Sequence, residues 1–113
     1  MIELTIYNFI SQNTTVKTYM EIPKTPATSF YVIEKTGSGR VNHVESSTIV
    51  IQSYAPSMYE AATLNEAVKA LMLGDAILEL GEICNVELNT DYNYTDETAK
   101  KYRYQAVFDV THY

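Results

Sequence analysis

Side chains able to do acid–base or nucleophilic chemistry are few in this sequence. The two histidines, His43 and His112, lie far apart, and neither has Cys, Asp or Glu neighbours at the spacing of metal ligands. We therefore predict that both are free surface side chains. Ser46, Ser47 and Ser53 lack the strand–turn–helix context that exposes a nucleophilic serine. These patterns predict no catalytic residue, no metal and no cofactor, and therefore no enzyme.

The glycine-rich segment at residues 37–39 (GSG) is the other chemical candidate, as a phosphate-binding turn. Such a turn binds phosphate when it opens a helix and carries a suitable Lys or Thr, whereas a strand follows here. We predict instead that residues 37–45 form a flexible hairpin tip. Loops of this kind often contact partners, and its candidate contact residues are Arg40, Asn42 and His43.

Tyrosine is the most distinctive residue type, with ten copies against three Phe and no Trp. Five of them lie near the end of the chain: Tyr92, Tyr94, Tyr102, Tyr104 and Tyr113. Residues 100–104 (KKYRY) interleave cations with aromatic rings, as base-stacking surfaces do. Strand alternation would separate Arg103 from Tyr102 and Tyr104, which disfavours that function. Protein contact and core packing remain open for these tyrosines.

The charge is acidic and unevenly distributed. The formal net charge is −6, and residues 75–97 hold seven acids and no Lys or Arg. Surfaces that bind phosphates need the opposite sign, so the protein as a whole is a poor candidate for binding nucleic acid. An acidic surface that DNA slides past without binding remains compatible with this charge. The single cysteine, Cys84, excludes an intrachain disulfide. No apolar run reaches membrane-spanning length, and we expect no membrane partner.

The stretch from Ser46 onwards predicts the centre of the fold, as one strand leading into one helix. Residues 48–51 (TIVI) are typical of a strand covered on both faces, and Pro56 ends it. Ser57 and Glu60 have capping-box spacing. A left-handed Gly74 is expected to end the helix. Asn65 lies within its apolar stripe, where it would bond nearby backbone or water, or a partner chain.

The remaining patterns complete a single domain over residues 1–113. Cys84 falls among the apolar positions of its strand, so we predict a buried thiol, and residues 91–98 are expected to form a polar loop. The predicted elements are a helix at 2–12, strands at 14–21, 30–35, 83–89 and 101–112, and a helical turn at 75–80. This order indicates an α+β fold with one largely antiparallel sheet flanked by helices.

Residues 31–72 and 88–113 resemble small proteins from the head–tail gene modules of long-tailed bacteriophages and prophages. The marks are the EKTG strand end, the strand running into a helix with Ala-Ala and Asn-Glu, and the closing YRYQAVFD strand. Members of this group are described as minor capsid, tail-completion or tail terminator proteins. The resemblance spans nearly the whole chain and implies a tail terminator-like fold of a sheet flanked by helices.

The resemblance also implies a structural function without catalytic residues. A terminator forms a ring, usually a hexamer, which caps the tail tube protein and joins the tail to a head-completion or connector protein. DNA passes only through the lumen, and the protein belongs to the virion after assembly in the host cytoplasm. A connector role at the same junction, or less readily a small nucleic-acid-binding module, remains open. The partner-contact candidates are Arg40, Asn42, His43, Asp91, Tyr92, Tyr94, Tyr102 and Tyr104.

Overall fold

The structure is a computed structural model and describes residues 1–41, 44–95 and 102–113. The elements in chain order are α1 (Ile2–Asn13), β1 (Lys17–Tyr19), β2 (Phe30–Val41), β3 (Val44–Ala55), α2 (Met58–Leu73), a 3₁₀ turn (Ala76–Leu80), β4 (Ile83–Asn93) and β5 (Tyr102–His112). This order is the predicted one. Within these ranges, neither helix is long and apolar enough to cross a membrane.

All five strands form one sheet in the order β1-β2-β3-β5-β4. β1 runs parallel to β2, and every other neighbouring pair is antiparallel. β3 is the central strand, and its residues Ile49, Val50 and Ile51 are all at most 5% exposed, so burial on both faces is confirmed. The fold is therefore α+β, with one largely antiparallel sheet and flanking helices, as predicted.

Both helices contribute to one apolar core against the same face of the sheet. The buried residues of this core include Ile6, Phe9 and Ile10 of α1, Val68 and Met72 of α2, and Tyr31, Ile33, Ile49, Ile51, Ala106, Phe108 and Val110 of the sheet. Tyr31 keeps its hydroxyl satisfied there by donating to the Leu64 carbonyl at 2.8 Å. Burial raises the pKa of Tyr31 to about 12.

The α2 helix begins as predicted and ends differently. The Glu60 amide donates to the Ser57 hydroxyl at 3.2 Å, which is the expected N-cap bond. Gly74 is extended (φ −83°, ψ 178°), so the predicted left-handed cap is wrong. Its lack of a side chain matters sterically, because an added Cβ would lie 3.0 Å from the Ala70 carbonyl oxygen. The left-handed glycine is Gly81 (φ 79°), which ends the 3₁₀ turn.

Residues 37–39 lie inside β2, so the predicted hairpin tip over 37–45 is wrong. Gly37 is opposite Thr48, and a bulge separates it from Lys35. Pairing with β3 supplies the backbone hydrogen bonds of this segment, and that context outweighs the low strand preference of glycine. Arg40 is therefore a strand residue, whereas Asn42 and His43 lie outside the described residues.

The structure also corrects two predictions for β4. Cys84 is exposed and not buried, because the ladder to β5 shifts register between Ile83 and Asn85 and moves Cys84 out of the alternation. The strand continues to Asn93, so Asp91 and Tyr92 are strand residues and not loop residues. The predicted end of that loop, residues 96–98, lies outside the described part of the chain.

Candidate functional site

The sheet face opposite the two helices carries the candidate site, and we call it the open face. Strand alternation explains its composition, because Ile49 and Ile51 of β3 point to the core and the residues of the other parity therefore point to the opposite face. Gln52 and Tyr54 share the open side. Their cross-strand partners on β5 are Gln105 and Arg103.

Arg103 lies between Tyr54 of β3 and Tyr94, the residue that directly follows β4. Its guanidinium carbon is 4.2 Å from the ring centroid of Tyr94 and 5.5 Å from that of Tyr54. Nη1 donates to the Tyr54 hydroxyl at 2.8 Å, and Nε donates to the Tyr94 carbonyl at 2.9 Å. The planar guanidinium thus combines cation–π contacts with hydrogen bonds and holds β3, β5 and the end of β4 together.

Hydrogen bonds extend this arrangement into a closed loop. The Tyr54 hydroxyl donates to Gln52 Oε1 at 3.1 Å, and Gln52 Nε2 donates to Gln105 Oε1 at 3.0 Å. Gln105 Nε2 donates to the Tyr92 hydroxyl at 2.6 Å. The Tyr92 ring then meets the Tyr94 ring edge-on, with centroids 5.8 Å apart. We call the six residues Gln52, Tyr54, Tyr92, Tyr94, Arg103 and Gln105 the tyrosine–arginine network.

An aromatic row continues from the network towards the β1 edge of the sheet. The Tyr54 ring stacks on Phe30 with centroids 4.7 Å apart and an interplanar angle of 10°. Phe30 in turn meets Tyr19 edge-on at 5.5 Å. Phe30, Val32 and Tyr54 form a second buried cluster beside the main core. The open face is therefore a connected surface with a firm apolar base.

The exposed part of the network suits contact with another protein. Tyr92 and Tyr94 remain 40% and 48% exposed although their positions are held by bonded or stacked neighbours. Ordered side chains lose little entropy when they bind, and Tyr and Arg are enriched among the residues that dominate interface energies. The arrangement offers recognition by shape and hydrogen bonding.

Carboxylates also lie on the open face, farther along the strands than the network. Strand alternation places Glu34, Glu87 and Asp109 on the same side as Arg103, and Glu87 and Asp109 are cross-strand partners. Asn89 donates to Asp109 at 3.1 Å. A phosphate backbone lying along the open face from Arg103 towards Asp109 would meet these carboxylates, which disfavours nucleic-acid binding along this face. Lys100 and Lys101 lie outside the described residues.

The structure does not bring the predicted contact residues together in one site. Tyr92 and Tyr94 belong to the network, whereas Tyr102 and Tyr104 are half-buried and alternate with Arg103 and Gln105 along β5. The predicted separation of Arg103 from its tyrosine neighbours in sequence is thus correct.

The two charged candidates lie elsewhere. Arg40 is near the far end of β2, with its guanidinium 4.0 Å from Glu45. Asp91 is on the core side of β4, where Oδ2 accepts from Asn65 at 3.0 Å and from Lys69 at 2.8 Å. The hydrogen bond from Lys69 is the main reason that the pKa of Asp91 is lowered, and the same bond raises the pKa of Lys69.

Asn65 is therefore bonded within its own chain, to a side chain. Its residue is 1% exposed, and its Oδ1 has no hydrogen-bond partner among the described residues. The predicted bonding partners of Asn65 were nearby backbone, water or a partner chain, and Asp91 was not among them. The reason is that Asp91 lies 26 residues further along the chain, and the residue spacing of α2 alone does not show which strand the helix packs against.

His112 is buried, so its prediction as a surface residue is wrong. Its Nε2 lies 2.8 Å from the Ser47 hydroxyl, and its Nδ1 lies 3.2 Å from the Tyr113 carbonyl and 3.7 Å from Glu45 Oε2. These groups border a cavity of about 420 Å³ with Lys35 and the start of α1. A serine bonded to a histidine resembles part of a nucleophilic pair. Ser47 is 4% exposed, however, which favours mutual satisfaction of two buried polar side chains.

Sequence patterns missed the residues that organise the site. Gln52, Tyr54 and Gln105 are ordinary strand residues in sequence, and only the pairing of β3 with β5 brings them beside Arg103. The available signal was the alternation that separates Arg103 and Gln105 from the core side of β5. Among the described residues, no group of three or more His, Cys, Asp or Glu side chains is placed to hold a metal ion.

Comparison with known proteins adds no family to this description. No protein-family model matches the sequence, and no curated protein matches it. The proposed function therefore depends on the sequence resemblance, the fold and the geometry of the open face.

Proposed function

We propose that this protein is a structural assembly protein of the phage head–tail junction, acting as a tail terminator. In this function, copies form a ring, expected to be a hexamer, that caps the tail tube and presents a surface to the head. The proposal is supported by the sequence resemblance over residues 31–72 and 88–113. The α+β fold with one sheet and flanking helices is the kind of fold that the resemblance implies.

The observation that carries the proposal is the closed tyrosine–arginine network on the open face. Arg103 orders Tyr54 and Tyr94, and Tyr92 and Tyr94 project ordered rings to solvent. Such a surface binds a protein partner through shape complementarity, and binding requires no covalent bond to be made or broken. We expect it to contact the tail tube protein or the head-side ring.

Co-expression with the tail tube protein of the same phage tests this proposal. The wild-type chain should co-purify with tube protein, and electron micrographs should show tubes capped at one end by ring-sized density. Arg103→Ala should weaken this association at least tenfold, since the network loses its centre. Lys17→Ala, on the exposed edge strand β1, is the matched control and should leave the association unchanged.

The outcomes also separate the alternatives. Binding to a portal-side or head-completion protein without binding to tube would replace the terminator with a connector at the same junction. A salt-dependent shift of single-stranded DNA by the isolated protein would support a nucleic-acid-binding module. A strict monomer that ignores both partner proteins would contradict the assembly function altogether.

A further inference from the structure

Both sides of the sheet have unpaired strand backbone within the described residues. β1 pairs only with Phe30–Val32 of β2, so the outer edge of β2 from Ile33 onwards has no neighbouring strand. β4 is the last strand on the other side, and its ladder bonds go to β5 alone. Unpaired edges present backbone donors and acceptors that readily bind another strand.

The two free edges lie at the same level of the sheet. One cross-strand row joins Arg40 to Glu45, Glu45 to His112 and His112 to Ile83. A second row joins Lys35 to Leu88 through Ile49 and Phe108. Residues 35–40 of β2 and 83–88 of β4 therefore occupy the same height on opposite sides of the molecule.

The strand directions also match. β2 and β4 are antiparallel within one molecule, because each neighbouring step from β2 through β3 and β5 to β4 reverses direction. A second copy placed beside the first in the same orientation would bring its β2 edge against β4 as an antiparallel pair. The four ladder steps between the bulges of β4, Asn85–Leu88, face the segment Lys35–Gly39 in this arrangement.

The two edges differ in net charge. The β2 edge is exposed throughout residues 34–40, carries Lys35 and Arg40, and has glycine at 37 and 39, where another backbone can approach closely. From Asp75 to Thr95 the chain holds five acids, among them Glu82 and Glu87, and no Lys or Arg. Pairing of β4 with β4 of another copy would place two acidic segments side by side, whereas pairing with β2 places an acidic segment beside a basic one. Lys35 and Arg40 lie on the helix side of the sheet and Glu87 on the open face, so the attraction is between the two segments and not between directly opposed side chains.

We propose that copies of this chain associate head to tail, with β4 of one copy adding to the uncovered edge of β2 in the next as an antiparallel ladder. The inference deepens the proposed function and rests on it, because a ring requires each copy to offer two different surfaces. Glu34 is the one acid on the basic edge, and its side chain points to the open face beside Val32.

Disulfide trapping tests the contact directly, because the native Cys84 is exposed on β4 and is the only cysteine. Ser38→Cys and Gly39→Cys place a second thiol on either side of the β2 edge, and a Cβ at Gly39 would approach Ser46 Oγ only to 3.5 Å. Under mild oxidation, at least one variant should give covalent dimers, trimers and longer multimers. Ser11→Cys, on the exposed surface of α1, is the control and should give none.

Charge exchange provides the second measurement. Lys35→Glu with Arg40→Glu, and separately Glu82→Lys with Glu87→Lys, should each raise the concentration for half-association by roughly tenfold. The two charge-reversed proteins mixed together should form mixed pairs through their matched edges. Circular dichroism spectra like that of the wild type would establish that each variant is folded.

Each result has a distinct meaning. If the protein forms oligomers but the cysteine variants give no disulfide-linked multimers and the charge reversals do not change association, this contact is wrong. The proposed assembly function would remain. Wild-type dimers linked through Cys84 to Cys84 at equal yield would replace it with symmetric β4 pairing. A protein that stays monomeric at every concentration, with and without tube protein, would overturn both proposals.

Discussion

Arg103 is the residue on which the open face depends, because it joins β5 to Tyr54 of β3 and to Tyr94, which directly follows β4. Its guanidinium contacts the rings of Tyr54 and Tyr94, and the Tyr54 hydroxyl in turn donates a hydrogen bond to Gln52. Removal of the side chain would leave the Tyr54 hydroxyl and the Tyr94 carbonyl without their donors. The ordering of the exposed tyrosines would be lost with them.

We expect Arg103→Ala to lower the free energy of unfolding by about 1–3 kcal/mol, since two hydrogen bonds from a charged donor and the ring contacts are removed. Arg103→Lys keeps the charge but cannot donate to Tyr54 and Tyr94 in the same plane. In urea unfolding, the free energy of unfolding of Arg103→Lys should lie between those of the wild type and Arg103→Ala. Equal stability of all three proteins would show that the network contributes no rigidity.

The pair of Asp91 and Lys69 predicts a pH-dependent stability. The lowered pKa of Asp91 means that its contribution is present above its ordinary value of 3.8 and is lost as the pH falls through the lower folded value. The raised pKa of Lys69 means that its contribution is present below 10.5 and is lost as the pH rises through the higher folded value. The pair therefore stabilises the fold most between these two limits.

Asp91→Asn tests this by removing the charge while keeping an amide of similar size. We expect a loss of about 1 kcal/mol in the free energy of unfolding at pH near 7, discounted because both side chains are partly exposed. The difference from wild type should shrink as the pH is lowered well below 3.8. A difference that stays constant with pH would assign the effect to packing instead.

At the scale of elements, two glycines are needed for different physical reasons. Gly81 has a φ of 79° with no atom within 4 Å of an added Cβ, so only its backbone conformation excludes other residues. Gly74 has ordinary extended angles but a close carbonyl at Ala70. In the segment between α2 and β4, backbone conformation alone therefore restricts the residue at Gly81, and steric space alone restricts the residue at Gly74.

Gly81→Ala should lower the free energy of unfolding by about 1 kcal/mol, the cost of a left-handed backbone for a residue with a Cβ. Gly81→Asn should lose less, because Asn tolerates this region better. Thermal unfolding of the two variants beside the wild type measures the effect. A stabilised Gly81→Ala protein would mean that the turn has another conformation in solution.

The sequence predicted elements well where a local period decides them, and it failed where pairing decides them. The apolar run of β3 and the stripe of α2 made a buried strand and an amphipathic helix predictable. The strand conformation of Gly37 depends on pairing with β3, and the exposure of Cys84 depends on the register of pairing with β5. No local sequence pattern near those residues contains either pairing. His112 and Ser47 are likewise brought together by strands that are distant in sequence.

The candidate site divides in the same way. Tyr92 and Tyr94 could be selected from sequence because tyrosine is unusually frequent near them. Gln52 and Tyr54 could not, because their role arises only when β3 lies beside β5. Arg103 was visible in a basic and aromatic segment, but its partners proved to be Tyr54 and Tyr94 in place of its sequence neighbours.

For the whole molecule, the uneven charge predicts an ionic-strength effect on self-association. Raising the ionic strength from about 0.01 M to about 1 M shortens the Debye length from ~30 Å to ~3 Å. Head-to-tail contact between the acidic β4 edge and the basic β2 edge should weaken accordingly. Sedimentation at several salt concentrations measures this, and association that strengthens with salt would indicate an apolar or like-charged contact.

The position of β5 in the sheet has a consequence for how the molecule is made. β5 follows every other element in chain order, yet it lies between β3 and β4 in space. A growing chain on the ribosome therefore has β4 without a strand to join, and one edge of β3 without its ladder partner, until residue 112 emerges from the exit tunnel. Folding of the sheet must be completed after translation of nearly all of this sequence, during which chaperones would meet an open core.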